Sequence, residues 1–306
     1  MIAVELQNLS KKYSAIVAVD NLSVTIAANQ IFGFLGPDGA GKTSLFQILC
    51  GILTISSGKA LVLGMDVGKN PEAIKQHLGY MSQKFALYGD LTVRENLDFF
   101  ADLFLTPLAG LAQRKLELLR FANLVQFQDR LAGKLSGGMK QKLALCCTLV
   151  HTPQLLILDE PTTGVDPVSR QEFWEMLLPL PQQGTTVIVS TAYMDEAAKC
   201  DRVALMNQGK VLQIGTPSEL RAPLAEKIYE IRGVELPAIR DILVTSVKDV
   251  LIFGDRLHVQ LKQEMRMNRA EGKTWLETVL RENGFTVEVS SIEPSLEDVF
   301  VNLVTM

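Results

Sequence analysis

Residues 36–43 read Gly36-Pro-Asp-Gly-Ala-Gly-Lys-Thr43, and this stretch decides the fold. It has the pattern G-x-x-x-x-G-K-[ST], in which glycines let successive backbone N–H groups turn around a polyphosphate. An apolar run, Gln30–Leu35, precedes it, and an apolar segment with helical character, Thr43–Cys50, follows it. Strand, glycine loop and helix together predict a P-loop in an α/β fold, and the helix N-terminus adds positive potential at the anion site.

The P-loop predicts the residues that hold a nucleotide and its metal ion. Lys42 is expected to reach the β- and γ-phosphates, and the hydroxyl of Thr43 is expected to be a ligand of Mg²⁺. The whole predicted phosphate cradle consists of Gly36, Pro37, Asp38, Gly39, Ala40, Gly41, Lys42, Thr43 and Ser44.

Composition limits the classes of protein that fit the chain. Its 306 residues, 47% of them hydrophobic, indicate one large domain or one large and one small domain. With 30 Lys and Arg against 34 Asp and Glu, and no long basic stretch, we expect no nucleic-acid partner. The four cysteines form no C-x-x-C pair, and we expect them to be reduced, buried thiols. No signal peptide and no apolar run of bilayer length are recognised, so we expect any action at a membrane to need a partner.

Hydrophobic patterning predicts two parts. Residues 1–220 read as alternating strands and helices with a mainly parallel sheet, interrupted by a helical subdomain at about residues 84–150; residues 221–306 read as a small α+β appendage. Further predicted strands are Ala3–Leu9, Leu22–Ile26, Lys59–Leu63, Leu78–Ser82, Leu155–Leu158, Thr185–Ser190, Val203–Asn207, Lys227–Arg232, Val250–Leu261 and Phe285–Ser290. Further predicted helices are Leu91–Leu105, Leu111–Leu124, Ser169–Leu180, Met194–Lys199, Lys273–Asn283 and Ser295–Val304.

Two carboxylates end the aliphatic run Leu155–Leu158. Such a strand is expected to carry Asp159 to the sheet edge beside the P-loop, where it can hold Mg²⁺ through water. Glu160 is then placed to orient or deprotonate an attacking water molecule. An Asp-Glu pair after a strand is weak evidence alone, but it gains weight in a chain that already has a P-loop.

A second anion-binding loop follows in Leu135-Ser-Gly-Gly-Met-Lys-Gln141. Ser136, Gly137 and Gly138 precede a predicted helix, so a hydroxyl, exposed N–H groups and the helix end can all face an anion. One nucleotide does not need two such loops from one chain. The pattern therefore indicates a composite site shared by two copies.

Together these motifs identify a resemblance to the ATP-binding cassette (ABC) ATPases across about residues 1–220. The resemblance implies ATP and Mg²⁺ as cofactors and a head-to-tail pair of cassettes, in which one P-loop and the partner's Ser-Gly-Gly loop enclose each ATP. It also implies that Tyr13 stacks on adenine and that Gln83 senses Mg²⁺ and the attacking water and contacts the transporter subunit. Asp166 is implied to lie in the loop that crosses to the second cassette.

A narrower resemblance is to bacterial drug- and ion-exporter ATPases, and in particular to the N-terminal cassette of tandem YbhF-type exporters. The likeness to the exporter branch depends on Met139 after Leu-Ser-Gly-Gly and on the closing segment Pro294–Phe300. The likeness to YbhF-type exporters depends on Gly36–Gly39, the run Tyr80–Tyr88 and the segment Leu131–Ser136. It implies an ATPase subunit that lies in the cytoplasm on the inner face of the cell membrane. Integral membrane permease subunits would contact it near Phe85–Asn96, and the role of the C-terminal part stays open.

One position departs from the family pattern. ABC ATPases usually carry a histidine after the strand that follows the Asp-Glu pair, where it bonds the γ-phosphate; here the segment Val189–Ala197 has Ala192. Alanine cannot donate a hydrogen bond, and loss of one transition-state donor costs about 10²–10³ in rate. We therefore hypothesise that this chain's own site binds ATP but hydrolyses it slowly.

The partner cassette and the setting are left open at this point. If the partner is a different chain with its histidine present, the efficient site uses the partner's P-loop with this chain's Ser136–Gly138. The alternative is a homodimer in which Gln83 and Glu160 suffice. A ribosome-associated soluble ABC ATPase is the second functional class that fits, and co-purification with ribosomes would favour it.

Overall fold

The computed structural model of the protein describes residues 1–84, 87–104, 106–107, 109–225, 227–265 and 267–304, without the side chain of Gln263. The chain divides into two compact units, Met1–Ile214 and Gly215–Met306. The division lies six residues before the expected boundary at residue 220, because Thr216 caps a helix that belongs to the second unit. Each unit has its own hydrophobic core.

The first unit contains two sheets. One is antiparallel, in the order β2-β1-β4-β5, and consists of β1 (Ile2–Tyr13), β2 (Ile16–Ala27), β4 (Ser57–Val62) and β5 (Met65–Asp66). The other has the order β10-β9-β3-β8-β7-β6 and consists of β3 (Ile31–Leu35), β6 (Leu78–Met81), β7 (Leu155–Asp159), β8 (Thr186–Thr191), β9 (Arg202–Asn207) and β10 (Lys210–Gly215). Because β3 pairs in parallel with β8 and β9, and β7 with β6 and β8, the carboxyl ends of these strands share one sheet edge.

Continuous apolar runs explain the central strands of the second sheet. Every residue of β3, β7 and β8 is buried, which fits strands covered on both faces. The helix after the P-loop, α1 (Lys42–Leu49), adds to a core with side chains from both sheets. Phe34 of β3 and Phe46 of α1 meet edge to face, with ring centroids 5.8 Å apart.

The segment predicted as a helical subdomain contains three of the remaining helices of the first unit, α3 (Val93–Leu103), α4 (Leu111–Phe121) and α5 (Gly137–Leu149). Within it α3 begins after a Thr92 capping box with Glu95, and α5 begins after Ser136. The others are α2 (Pro71–Lys75), α6 (Pro167–Leu177) and α7 (Met194–Ala197). Among the described residues, no helix of either unit combines the length and the hydrophobicity that crossing a bilayer requires.

The second unit is built on an antiparallel sheet in the order β12-β13-β11-β14. Its strands are β11 (Ile228–Gly233), β12 (Asp249–Phe253), β13 (Arg256–Gln260) and β14 (Val287–Ser291). Its helices are α8 (Pro217–Arg221), α9 (Leu236–Leu243), α10 (Arg269–Glu282) and α11 (Leu296–Val304). Tyr229, Ile231 and Val259 of the sheet pack into one core with apolar residues of α9 and α10. The prediction that this part of the chain has an α+β fold is confirmed.

Sequence patterning was wrong at several elements. The predicted strand Val250–Leu261 is a hairpin, since Gly254, with a φ of +57°, turns the chain between β12 and β13. Helix α9 was not predicted, because its short apolar segment carries Pro237 near its start. Predicted helices extended past the observed ends, as at Leu91–Leu105, whose last residue lies outside the described residues.

Candidate active site

Two glycines of the P-loop approach other parts of the backbone closely. A Cβ atom on Gly36 would lie 2.2 Å from the carbonyl oxygen of Met206, and one on Gly41 would lie 2.1 Å from that of Ala18. Gly41, which precedes α1, also has a φ of +101°, in the left-handed region. Any side chain at these positions would have to displace backbone, so the loop requires glycine there.

The ammonium group of Lys42 is buried at the start of α1. Its Nζ atom donates hydrogen bonds to the carbonyl oxygens of Gly36, at 2.7 Å, and Pro37, at 3.0 Å. The same atom lies 3.1 Å from Oε1 of Glu160. These contacts hold one positive charge in a fixed place at the end of the loop, where a phosphate would need it.

A cavity of about 580 Å³ opens beside the loop, a size that suits a small-molecule ligand. Most of the predicted site residues line it: Tyr13, Asp38, Gly39, Ala40, Gly41, Lys42, Thr43, Ser44, Gln83 and Glu160. Ile16, Val17 and Ala18 of β2 add apolar wall, and Gln208 adds an amide from the turn between β9 and β10. The cavity therefore has an apolar part near β2 and a polar part at the P-loop.

Tyr13, at the end of β1, presents an aromatic ring to this cavity. Its hydroxyl lies 3.4 Å from Oγ of Ser44, and Nζ of Lys11 lies 5.0 Å from the ring centroid. The side chain is 41% exposed. A ring that is half-open and supported by a cation can stack on a flat base.

Asp159 ends β7 in a fully buried position, opposite Ser190 of β8 in the parallel register. Ser190 Oγ donates a hydrogen bond of 2.7 Å to its Oδ1 atom. The Oδ2 atom has no hydrogen-bond partner in the described part of the chain. Burial raises the pKa of Asp159, and the hydrogen bond from Ser190 together with the nearby hydroxyl of Thr43 lowers it only in part.

These surroundings fit a bound Mg²⁺. A buried carboxylate oxygen without a partner is costly unless a ligand or water completes it. Thr43 lies close enough to lower the pKa of Asp159, so the two predicted Mg²⁺ ligands are neighbours. A carboxylate and a hydroxyl are oxygen donors, which is the ligand type that Mg²⁺ prefers.

Glu160 is held on three sides and still faces the cavity. Its Oε2 atom accepts hydrogen bonds from Nε2 of Gln83, at 3.0 Å, and Oγ1 of Thr163, at 3.4 Å, while Lys42 contacts Oε1. Its φ is +48°, a left-handed conformation that is strained for a residue with a side chain. The backbone N–H donates to Ser190 Oγ at 2.9 Å. A carboxylate held in this way can accept a proton from a positioned water molecule.

The Ser-Gly-Gly loop does not line the P-loop cavity of its own chain. Ser136 caps α5, with its Oγ accepting a hydrogen bond from the N–H of Met139 at 3.3 Å. A Cβ atom on Gly138 would lie 2.3 Å from Cβ of Ser169, whereas one on Gly137 would meet nothing within 4 Å. Within this chain Gly138 therefore serves packing between α5 and α6, and only Gly137 presents open space.

Asp166 lies at the end of the connection from β7 to α6, and Ala192 lies at the start of the connection from β8 to α7. Asp166 caps α6 by accepting a hydrogen bond of 3.0 Å from the N–H of Ser169, which lowers the pKa of its carboxyl. Ala192 is exposed and follows β8 directly. The hydroxyl of its neighbour Thr191 donates to Oε2 of the fully buried Glu196 at 2.6 Å, so the loop is anchored on both sides of residue 192.

The cysteines and histidines are not among the predicted site residues. All four cysteines are buried and free, as expected. His151 lies 3.1 Å from the carbonyl oxygen of Leu78 and stacks on Phe104 at 3.8 Å between ring centroids, and burial lowers its pKa. His258 lies in the second unit, 2.9 Å from Asp298. No group of three or more His, Cys, Asp or Glu side chains that could hold a metal ion is found among the residues that the structure describes.

Sequence reasoning missed Ser190 and Gln208 as residues of the site. Ser190 was assigned only to the predicted strand Thr185–Ser190 and to the segment that lacks the histidine. Gln208, which follows the predicted strand Val203–Asn207, was assigned no role. The signal that could have found Ser190 is the parallel pairing of two apolar strands, which places the residue next to Asp159. Gln208 gives no such signal, because its nearness to the P-loop depends on the fold around Ala40.

Comparison with known proteins agrees with this geometry. The family described as "ABC transporter" matches residues 19–163, and the family described as "ATP-binding protein DrrA1-3-like, C-terminal domain" matches residues 215–304. The probable multidrug ABC transporter ATP-binding protein YbhF of Escherichia coli (strain K12) is 40% identical over 98% of this chain and 52% of its own length. The Nod factor export ATP-binding protein I of Rhizobium sp. (strain N33) is 34% identical over 99% of this chain and 97% of its own length.

A solved structure shows the same fold. It is cbiO1 from Clostridium perfringens, part of the ABC transporter complex cbiONQ, with a TM-score of 0.67 and 27% identity over 79% of this chain and 95% of that one. The chain belongs to the ABC transporter family of ATP-binding proteins. Its second unit is similar to the C-terminal domain of DrrA-type proteins. The chain spans about half the length of the YbhF proteins that it matches.

Proposed function

We propose that this chain is the ATP-binding subunit, or one cassette, of an exporter, and that it binds and hydrolyses ATP to drive transport through membrane permease subunits. The observation that carries the proposal is the meeting of Lys42, Asp159 and Glu160 at the carboxyl ends of β3 and β7. The exporter names of its relatives support the transport role.

In this proposal the cavity holds ATP along its length. Tyr13 stacks on the adenine, the N–H groups of the P-loop and Lys42 bind the phosphates, and Thr43 and Asp159 hold Mg²⁺. Bound Mg²⁺ supplies charge neutralisation at the phosphates. Gln83 and Glu160 orient the attacking water, and Glu160 accepts its proton.

The test is steady-state ATPase activity of the purified protein beside Glu160→Gln. We expect the substitution to lower kcat by about 10²-fold or more, since a positioned base contributes about that much. ATP binding, measured by calorimetry, is expected to persist in the variant. An unchanged kcat would reject Glu160 as the base.

We further propose that two cassettes share each ATP, with the N-terminus of α5 facing the partner's nucleotide. Gly137 supports this role because it presents open space, while Gly138 is used for packing. We therefore expect Gly137→Ala to keep the fold but weaken ATP-dependent pairing by about 10-fold or more, as a methyl group in a close contact does. Gly138→Ala is expected to lower stability instead. Analytical ultracentrifugation with ATP, and thermal unfolding, separate the two effects; full pairing of the Gly137 variant would contradict the shared site.

The Ala192 position leads us to propose that this chain's own site turns over slowly. Introducing the missing donor with Ala192→His is expected to raise the ATPase rate, by at most the ~10²–10³ that one such donor contributes. The structure leaves the position exposed, which makes the substitution sterically mild. Equal, fast turnover in both proteins would reject the proposal.

To test whether the partner cassette is a second copy of this chain, we compare the activity lost when the Ser-Gly-Gly loop is altered with the activity lost when Glu160 is altered. If the partner is a different cassette with its histidine, damage to this chain's Ser-Gly-Gly loop should lower activity more than Glu160→Gln does. Ser136→Ala also removes a helix cap, so Gly137→Ala is the cleaner variant. The opposite order of effects would favour the homodimer.

Exposed aromatic side chains on α3 and in the loop before it support permease binding by the helical subdomain. Tyr88 and Phe99 pack with ring centroids 4.5 Å apart and are 48% and 37% exposed, and Leu103 is 60% exposed. The fully buried Asn96 fixes the loop before α3, since its amide bonds both the N–H and the carbonyl of Tyr88. Phe85, which begins the segment predicted for this contact, lies outside the described residues.

We expect Phe99→Asp to abolish co-purification with the membrane subunits while ATP binding stays within about 2-fold, because a charge on an apolar contact opposes docking. Phe121→Asp on α4 is the matched control, since Phe121 is 38% exposed. Loss of co-purification in both variants would point to general damage. The proposed location is the cytoplasmic face of the membrane, through this partner.

The ribosome-associated reading is the second candidate. Sedimentation of native extracts decides between them, because an exporter subunit is expected with membranes and the alternative with ribosomes. Recovery of the chain in the ribosome fraction would replace the exporter proposal but would leave ATP binding intact.

A further inference from the structure

Ser190 joins the two carboxylate positions of the site through one buried hydroxyl. Its Oγ atom donates to Oδ1 of Asp159 at 2.7 Å and accepts from the backbone N–H of Glu160 at 2.9 Å. All three groups are buried, and Ser190 and Asp159 are themselves fully so. The hydroxyl is thus a hydrogen-bond donor to Asp159 and a hydrogen-bond acceptor from Glu160.

The two hydrogen bonds fix the orientation of the Asp159 carboxylate and the backbone conformation of Glu160. At Asp159 the bond to Oδ1 fixes the carboxylate plane, which leaves the unpartnered Oδ2 with a defined direction. At Glu160 the bond holds the backbone N–H of a residue with a φ of +48°. Such conformations persist where the surroundings hold them.

We propose that Ser190 is a positioning residue that orients Asp159 toward Mg²⁺ and Glu160 toward the attacking water. The inference rests on the proposed hydrolysis of Mg-ATP and assigns a role to a residue that touches neither reactant. It also means that β8 contributes to Mg²⁺ binding and to water positioning, because β8 carries the hydroxyl that holds Asp159 and Glu160 at the end of β7.

Other hydroxyls of the same segment differ in what they contact. Thr186 Oγ1 accepts a hydrogen bond from the N–H of Asn29 at 3.0 Å, and Thr185 Oγ1 donates to the carbonyl of Pro153 at 3.0 Å. Thr186 begins β8 and Thr185 precedes it, at the opposite end of the strand from Ser190. Both are buried, so we expect them to affect stability and not the carboxylates. Thr186→Val is therefore the matched control for loss of a buried hydroxyl on this strand.

The experiment measures binding of a non-hydrolysable ATP analogue by calorimetry, once with MgCl₂ and once with EDTA. In Ser190→Ala we expect the gain in affinity that Mg²⁺ gives to fall by about 10-fold or more, because loss of a residue that orients a metal ligand costs about 10–100-fold. Affinity in EDTA is expected to stay within about 2-fold, since the P-loop is untouched. We expect kcat to fall by a similar ~10–100-fold, with Ser190→Thr restoring part of both.

Thermal unfolding checks that each variant is folded. Ser190→Cys keeps the shape with a weaker donor, so it gives an intermediate value if Ser190→Ala does not fold. A full Mg²⁺ effect and full kcat in folded Ser190→Ala, or an equal loss in Thr186→Val, would overturn the inference. If the unaltered protein itself shows no Mg²⁺-dependent binding, it is the proposed function that fails.

Discussion

Asp159 in the first unit and Asp298 in the second are both buried, with exposed fractions of 0% and 4%, but they are paired differently. Asp298 uses both oxygens: Oδ1 lies 2.9 Å from Nδ1 of His258, and Oδ2 accepts hydrogen bonds from the N–H and the hydroxyl of Ser295, each at 2.7 Å. Asp159 accepts one bond, from Ser190, and its second oxygen has no hydrogen-bond partner in the described chain.

The pKa values of the two groups move in opposite directions. Burial acts to raise the pKa of Asp298, but hydrogen bonds from His258 and Ser295 outweigh it and leave the pKa lowered. For Asp159 burial dominates and the pKa is raised. The fully paired carboxylate ties α11 to the sheet, whereas the half-paired one keeps an oxygen for a ligand at a cost in stability.

The largest expected effect is that of Asp159→Asn on catalysis. The amide keeps the shape but loses the charge that would hold Mg²⁺, so we expect ATPase activity to fall by about 10²–10³-fold. The unfolding free energy of the first unit is expected to stay equal or rise, since an uncompensated buried charge is removed. Urea unfolding checks this when it is followed by Trp174 in a Trp275→Phe background, because each unit contains one tryptophan.

A loss of stability in Asp159→Asn would contradict the comparison, since it would show that the charge is already compensated in the protein. Asp38→Asn is a suitable control. Asp38 lines the same cavity but is exposed, so its substitution is expected to change stability by less than about 0.5 kcal/mol.

The second effect is that of Asp298→Ala on stability. We expect the second unit to lose about 2–4 kcal/mol of unfolding free energy, because the N–H of Ser295 and the ring of His258 lose a buried charged partner. ATP binding by the first unit is expected to stay within about 2-fold. Urea unfolding followed by Trp275 in a Trp174→Phe background measures the first quantity, and calorimetry the second.

Glu297→Ala is the matched control for that prediction. Glu297 is the neighbouring carboxylate on α11, but it is exposed, and its loss is expected to cost little. Equal losses in both variants would mean that helix α11 responds to any substitution. A loss of ATP binding in Asp298→Ala alone would mean that this carboxylate has a functional role, against the comparison.

Local motifs were predicted well from the sequence. The P-loop, the buried strand before Asp159 and the helix after Ser136 depend on residues that are close in the chain, and the structure confirms these elements. The segment Pro294–Phe300, which supported the exporter resemblance, is also local, and it contains the Ser295 and Asp298 pair that begins α11. Its residue types are thus explained by packing and capping.

Specific hydrogen bonds between distant residues were not predicted, although Asp159 was expected to lie beside the P-loop. Ser190 reaches Asp159 across 31 positions of sequence, and Gln83 reaches Glu160 across 77, so no periodicity shows either pair. The two glycines of the Ser-Gly-Gly loop look equivalent in sequence, yet only Gly138 is packed against Ser169. The site that two chains would share is not complete in the fold of one, so the ATP contacts of Ser136, Gly137, Gly138 and Asp166 stay predictions.

The smallest expected effect is on the pH dependence of stability, and its sign differs between the units. A carboxyl with a raised pKa in the folded state binds protons that the unfolded chain does not, so Asp159 makes the first unit less stable as pH rises through that range. Acidification from neutral pH toward about 4, the usual pKa of an Asp carboxyl, should therefore remove the destabilisation that charged Asp159 causes in the first unit. Asp298, with a lowered pKa, contributes stability that is complete above about 4 and is lost as pH falls further, through its folded pKa.

The measurement is the difference in unfolding free energy between each Asp→Asn variant and the unaltered protein, taken at several pH values in the single-tryptophan backgrounds. The difference cancels the contribution of the other titrating groups to the pH dependence, because these groups are common to both proteins. For Asp159 the advantage of the variant should shrink from pH 7 toward pH 4, since the protonated carboxyl no longer carries the buried charge. For Asp298 the deficit of the variant should be constant over that range and shrink only below it. If both differences changed over the same range of pH, the two carboxylates would have the same electrostatic surroundings, and half-pairing at Oδ2 of Asp159 would not mark a ligand site.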